Sequence, residues 1–106
     1  LLHLDDIDRK DAAKHRDALN AADFVILCLP DDAAREAAAM VSNPTTRIID
    51  ASSAHRVAAG WTYGFPELSA AQREAIANAP RVANPGCYPT GFLTLVAPLV
   101  AAGLLD

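Results

Sequence analysis

Phe24-Val25-Ile26-Leu27-Cys28-Leu29 is a continuous apolar run stopped by Pro30, and Asp31-Asp32 then opens an Ala-rich stretch reaching about Val41. An unbroken apolar run of this kind suits a parallel strand buried on both faces. The two aspartates fit the first turn of a helix, where a carboxylate meets the positive end of the helix dipole. Ser42-Asn43-Pro44 breaks that helix, and Arg47-Ile48-Ile49-Asp50 reads as the next strand. Strand, helix and strand in this order predict an α/β fold around a parallel sheet.

On the N-terminal side, Leu1-Leu2-His3-Leu4 reads as the end of another strand, and Asp11 to Asn20 as an exposed polar helix. On the C-terminal side the rhythm changes. Ser52 to Pro66 has no clean period and reads as a long ordered loop. Ser69-x-x-Gln72 has the form of a capping box for a short helix ending near Asn78. Arg81-Val82-Ala83 is a brief strand, Asn84-Pro85-Gly86-Cys87 a turn, and Tyr88 to Ala102 an apolar helix closed by Gly103. Pro98 is expected to kink that helix. The whole reads as a partial Rossmann-like sheet with flanking helices, leading into a cysteine-bearing segment at 82–106.

Composition narrows the function. A hydrophobic fraction of 52% and a charged fraction of 21% are those of a soluble globular domain. No apolar run approaches the roughly 20 residues of a membrane span. Net charge is −4 and the nine basic residues are scattered, so nucleic acid is not an expected partner. Cys28 and Cys87 show neither CxxC nor zinc spacing, and no metal site is expected. A reduced, cytoplasmic protein is the simplest reading. The first residue is Leu1 and the chain stops just after Gly103, so both ends are expected to be cut.

The chemistry centres on Asn84-Pro85-Gly86-Cys87-Tyr88-Pro89-Thr90, where a tight turn places a cysteine at a helix start. Unpaired amides there favour a thiolate and could hold a developing oxyanion. Pro89 is tolerated in a first turn, and Gly86 lets the backbone approach a ligand closely. Read from this context alone, a buried structural cysteine is an equal alternative. Cys28, inside an apolar strand, reads as an inert core residue.

The segment Val82 to Thr90 resembles the catalytic motif of the N-acetyl-gamma-glutamyl-phosphate reductases. Ile49-Asp50-Ala51-Ser52-Ser53-Ala54-His55-Arg56 and Tyr63-Gly64-Phe65-Pro66-Glu67-Leu68 resemble two further segments of that family, in the family's order. The Ala-His-Arg form suggests the shorter of its two subtypes. The resemblance implies NADP-dependent reduction of N-acetyl-L-glutamyl phosphate to N-acetyl-L-glutamate 5-semialdehyde through a cysteine thioester, in arginine biosynthesis. It implies a small acyl-phosphate substrate and a homo-oligomeric full-length enzyme. The aspartate-semialdehyde dehydrogenases share the chemistry, but Gly86 stands where they usually carry Asn. A non-catalytic nucleotide-binding domain is the alternative of another class.

In this light Cys87 is the expected nucleophile. Arg56 is the expected phosphate ligand, because a guanidinium fork matches phosphate oxygens. Asn84, Ser53 and Glu67 are candidate substrate contacts. Leu29, Pro30, Ser52 and Gly86 are candidate cofactor contacts; the first two stand at the C-terminal edge of a buried strand, where open α/β sheets bind ligands. Arg9 and Lys10 fit the 2′-phosphate of NADP, or equally a solvated charge pair. His55 reads as a loop residue rather than an acid/base. The family's glycine-rich dinucleotide turn is expected upstream of Leu1, and its catalytic histidine and substrate domain beyond Asp106.

Overall fold

The computed structural model describes residues 10–105. The strand expected at Leu1–Leu4 and the candidate Arg9 lie outside them. Asp11 caps helix α1 (Ala12–Ala21), its carboxylate accepting the N–H groups of Ala13 and Lys14. Strand β1 (Phe24–Leu27), helix α2 (Asp31–Met40) and strand β2 (Arg47–Asp50) then form one right-sized βαβ unit. A second unit follows: strand β3 (Thr62–Tyr63), a 3-10 turn at Pro66–Leu68, helix α3 (Gln72–Asn78) and strand β4 (Arg81–Ala83). Helix α4 (Cys87–Ala101) ends the chain. The four strands lie in the order β1-β2-β4-β3, and every pairing is parallel. The fold is the expected α/β, Rossmann-like one.

Helices α1 and α2 pack together, and Leu19, Val25, Leu27, Ala37, Ala38, Val41 and Ile48 form the core. The alanines of α2 permit this close approach, because a flat helix face can settle directly on the sheet. Asn20 locks the two helix ends: its Oδ1 accepts the N–H groups of Ser42 and Asn43, and its Nδ2 donates to the Met40 carbonyl.

Four expectations are corrected. First, β1 is buried on one face only: Val25 and Leu27 are covered, whereas Phe24 and Ile26 are 62% and 68% exposed. Both α1 and α2 lie on the Val25 side, and among the described residues no helix covers Phe24 and Ile26. Second, Cys28 falls one residue past β1 and is exposed, so it is not a core residue here. Third, the region 52–66 is not all loop. Thr62 and Tyr63 add an edge strand to β4, and Gly64 allows it: a Cβ there would stand 2.9 Å from Val82 Cγ1. Fourth, Ser69 and Gln72 form no capping box. A turn intervenes, α3 starts from Ala71, and the Gln72 amide donates instead to the Tyr63 carbonyl. The Gln72 side chain has taken a tertiary partner in place of the local one.

Helix α4 begins one residue earlier than expected, at Cys87, and runs unbroken through Pro98. Its end is a Schellman turn: Gly103, at φ +67°, donates to Val100, and Leu104 donates to Leu99. No residue of α4 is buried, and its main neighbour is the Pro66–Leu68 turn. The molecule is accordingly elongated, 54 × 24 × 23 Å. Among the described residues no helix is long and apolar enough to cross a membrane.

Candidate active site

The C-terminal ends of β2 and β4 converge on one point. The N–H of Asn84, just past β4, donates to the carbonyl of Asp50 at 2.7 Å, which fixes where the Asn84–Cys87 turn leaves the sheet. Gly86 is the N-cap of α4 and Cys87 its first residue, with the thiol exposed. The amides of Cys87 and Tyr88 therefore belong to a first turn, where N–H groups have no intrahelical acceptor. Pro89 contributes none. The Thr90 hydroxyl and N–H both return to the Gly86 carbonyl, at 2.8 and 3.0 Å, and tighten the turn.

Gly86 is small for a reason the sequence left open. A Cβ at that position would stand 2.7 Å from Arg56 Nη1 and 2.9 Å from Nη2. The approaching group is thus the Arg56 guanidinium, brought from the β2 loop to lie against the residue preceding Cys87. Among the described residues it makes no ion pair, and its buried Nε has no hydrogen-bond partner. The Tyr63 hydroxyl is likewise buried and unpartnered. Both residues border a cleft of about 380 Å³, together with Val57, Pro89 and Leu93. An unpaired cation and an unsatisfied hydroxyl thus border one cleft, a setting suited to an anionic ligand, and the cation lies against the residue before Cys87.

The loop that carries Arg56 is held from beneath by two carboxylates. Asp50, fully buried at the end of β2, accepts Ser52 N–H at 3.0 Å and Ser52 Oγ at 2.7 Å, and meets His55 Nδ1 at 2.6 Å. Burial pushes the Asp50 carboxyl up, but the hydrogen bonds from His55 and Ser52 outweigh it and hold it below the usual carboxylate range. Ionised, it has no proton to give, so His55 Nδ1 carries the hydrogen. Asp31, the first residue of α2, accepts Ser53 Oγ at 2.6 Å and Ser53 N–H at 3.0 Å. The Ser53 hydroxyl is the chief reason the Asp31 carboxyl also lies below its usual range.

The candidates thus fall into groups. Cys87, Gly86 and Arg56 come together, with Asn84 beside them as part of the turn. Ser52 and Ser53 stand close by, but each hydroxyl already donates to a carboxylate. Leu29 and Pro30 are exposed just beyond β1, at the same sheet edge as Ser52, since Leu27 pairs with Asp50. Glu67 is exposed, 3.8 Å from Arg73, and lines a different cleft with Phe65 and Leu93. Lys10 is exposed, just before the α1 cap. His55 is 8% exposed and stacks on Trp61 with ring centroids 3.9 Å apart, which is compatible with a loop-fixing residue. The Asp50–His55 pair was missed in the sequence. Its available signal was the carboxylate ending an apolar strand, because a buried Asp requires donors and Ser52, Ser53 and His55 follow within five residues. Among the described residues no group of three His, Cys, Asp or Glu is placed to hold a metal.

An open parallel sheet flanked by helices is the architecture of a nucleotide-binding domain, and the semialdehyde dehydrogenase NAD-binding domain matches residues 3–79. The chain belongs to that family. More particularly, it is 59% identical over 105 residues to N-acetyl-gamma-glutamyl-phosphate reductase 2 of Pseudomonas putida, covering 99% of this chain and 34% of that protein. It is 62% identical over 97 residues to the N-acetyl-gamma-glutamyl-phosphate reductase of a Chelativorans species, covering 92% of this chain and 31% of the relative. A Nostoc protein named N-acetyl-gamma-glutamyl-phosphate reductase 2 is 60% identical over 97 residues, covering 92% and 30%. The chain spans about a third of the length of these relatives.

Proposed function

We propose that the protein containing this chain reduces N-acetyl-L-glutamyl phosphate to N-acetyl-L-glutamate 5-semialdehyde with NADPH, releasing phosphate, as a step of arginine biosynthesis. The observation that carries this reading is the Arg56 guanidinium against Gly86, one residue from the Cys87 thiol. The names of the relatives supply the substrate.

An acyl phosphate is already activated, so the site needs a nucleophile and a receptor for the leaving group. The Cys87 thiolate attacks the acyl carbon, a C–S bond forms, and the C–O bond to phosphorus breaks with its electron pair leaving on phosphate. Arg56 receives that phosphate by charge-assisted hydrogen bonds. The first-turn amides of Cys87 and Tyr88 face the charge that develops on the carbonyl oxygen. Asn84 orients the turn; Ser53 is held by Asp31 and Glu67 lines a separate cleft, so neither is given a substrate contact in this reading. When bound, a reduced nicotinamide dinucleotide supplies the hydride that converts the thioester to aldehyde and frees the thiolate. The residues present fit such a group: exposed apolar Leu29 and Pro30 offer a surface for it at the sheet edge beside Ser52 and Gly86. Lys10 and Arg9 would supply positive charge for the 2′-phosphate of NADP. We place the enzyme in the cytoplasm, where a reduced cysteine is maintained. A homo-oligomeric full-length protein is part of the same reading.

The full-length enzyme tests this. Cys87→Ser is expected to lose activity by several orders of magnitude, because an alkoxide is far harder to form than a thiolate. Arg56→Ala is expected to raise the phosphate requirement of the oxidative direction roughly ten- to a hundredfold, as for a lost charged hydrogen bond. Phosphate dependence unchanged in Arg56→Ala contradicts the assignment.

A further inference from the structure

We infer that the buried Asp50–His55 pair is a positioning device for Arg56, setting the guanidinium against Gly86 from the far side of its own loop. The inference rests on the functional reading of Arg56 and adds a role for two residues that touch neither thiol nor cleft.

Three observations converge on it. Arg56 lacks any protein acceptor among the described residues, so no ion pair holds its side chain in place. A long side chain without a partner loses its geometry unless the backbone beneath it is fixed. That backbone is fixed by the residue immediately before it: His55 Nδ1 is 2.6 Å from Asp50 Oδ2, and its ring lies on Trp61, 13° from parallel. Trp61 is in turn covered by Arg81, whose guanidinium carbon is 5.7 Å from the ring centroid.

Asp50 then links this loop to the cysteine turn. Its carboxylate holds Ser52 and His55, while its backbone carbonyl holds Asn84 at 2.7 Å. A single residue at the end of β2 thus sets the relative position of the two segments that meet at Arg56 and Gly86. His55 is buried and its Nδ1 is engaged, so it is a positioning residue and not a catalytic one.

The test separates the two features of the His55 ring in the full-length enzyme. His55→Phe keeps an aromatic ring for Trp61 and removes the donor to Asp50. His55→Asn keeps a donor and removes the ring. His55→Phe is expected to raise KM for acyl phosphate about tenfold, on the scale of coupling between contacting residues, with kcat nearly unchanged. His55→Asn is expected to restore most of the loss. In an Arg56→Ala background the same His55→Phe change is expected to have no further effect on KM. An unchanged KM in a folded His55→Phe variant overturns the inference, as does an undiminished effect in the Arg56→Ala background. Should His55→Phe fail to fold, His55→Leu, which also removes the donor, takes its place: a raised KM that disappears in the Arg56→Ala background upholds the inference, and an unchanged KM overturns it. Arg56→Ala by itself tells the two readings apart. If it leaves KM unchanged, the phosphate assignment falls and this inference with it. If it raises KM and His55→Phe does not, only the positioning role falls.

Discussion

Gly86 shows what a single missing side chain does. Its φ of −84° is open to any residue, so glycine is not required by backbone conformation. What a side chain there would meet is the Arg56 guanidinium, 2.7 Å from a Cβ, which would have to swing aside. Gly86→Ala is therefore expected to fold with a thermal midpoint close to wild type and yet to bind phosphate poorly, with KM for acyl phosphate raised roughly tenfold as the guanidinium is displaced. Steady-state kinetics beside a thermal melt check this, and a normal KM contradicts it. At this scale the sequence singled out Cys87 and Arg56 from motifs, and the fold sets Arg56 against the residue before Cys87. The sequence was silent on contacts between segments. That Gly86 faces Arg56 rather than only a ligand, and that Ser53 answers Asp31, depends on how two loops meet in space.

The β2 strand with its following loop is the element on which the site turns, and its stability is linked to pH through Asp50. The folded carboxyl lies below its unfolded value of about 3.8. Its contribution is therefore complete above that value and is lost as pH falls through the folded one. Acid should thus loosen the Ser52–Arg56 loop together with the fold. Asp50→Asn is expected to be less stable than wild type at neutral pH but to lose less on acidification from about pH 5 to about pH 3. Denaturant unfolding at a series of pH values measures this, and parallel pH slopes for the two proteins contradict it. The elements themselves were largely legible. β1, α2, β2 and β4 follow from apolar runs, Asp at a helix start and Pro or Asn breaks, whereas α3 was expected from a capping box that does not form. The two-residue β3 carries too few residues for any period, and it exists because Gly64 admits it beside Val82 and the Gln72 side chain holds the Tyr63 carbonyl.

Across the whole molecule, the apolar run 24–29 pointed to a strand covered on both faces, and that coverage is incomplete in this chain. Phe24, Ile26 and Ile49 are exposed on one sheet face, and Phe92, Leu95 and Val100 on α4. Periodicity records which residues are apolar, not which layer lies over them. The site is equally open: Cys87 is exposed, and the Arg56 guanidinium lies against Gly86 and borders a cleft with Tyr63, Pro89 and Leu93. The central claim is that Cys87 carries the acyl group with Arg56 receiving the phosphate. Mass spectrometry of the full-length enzyme tests it most directly, after brief mixing with N-acetyl-glutamyl phosphate in the absence of NADPH and an acid quench. The account predicts an N-acetylglutamyl adduct on Cys87, formed with stoichiometric release of phosphate and absent in Cys87→Ser. An adduct on Cys28 or another residue, or full turnover in an enzyme whose Cys87 is never acylated, would contradict it.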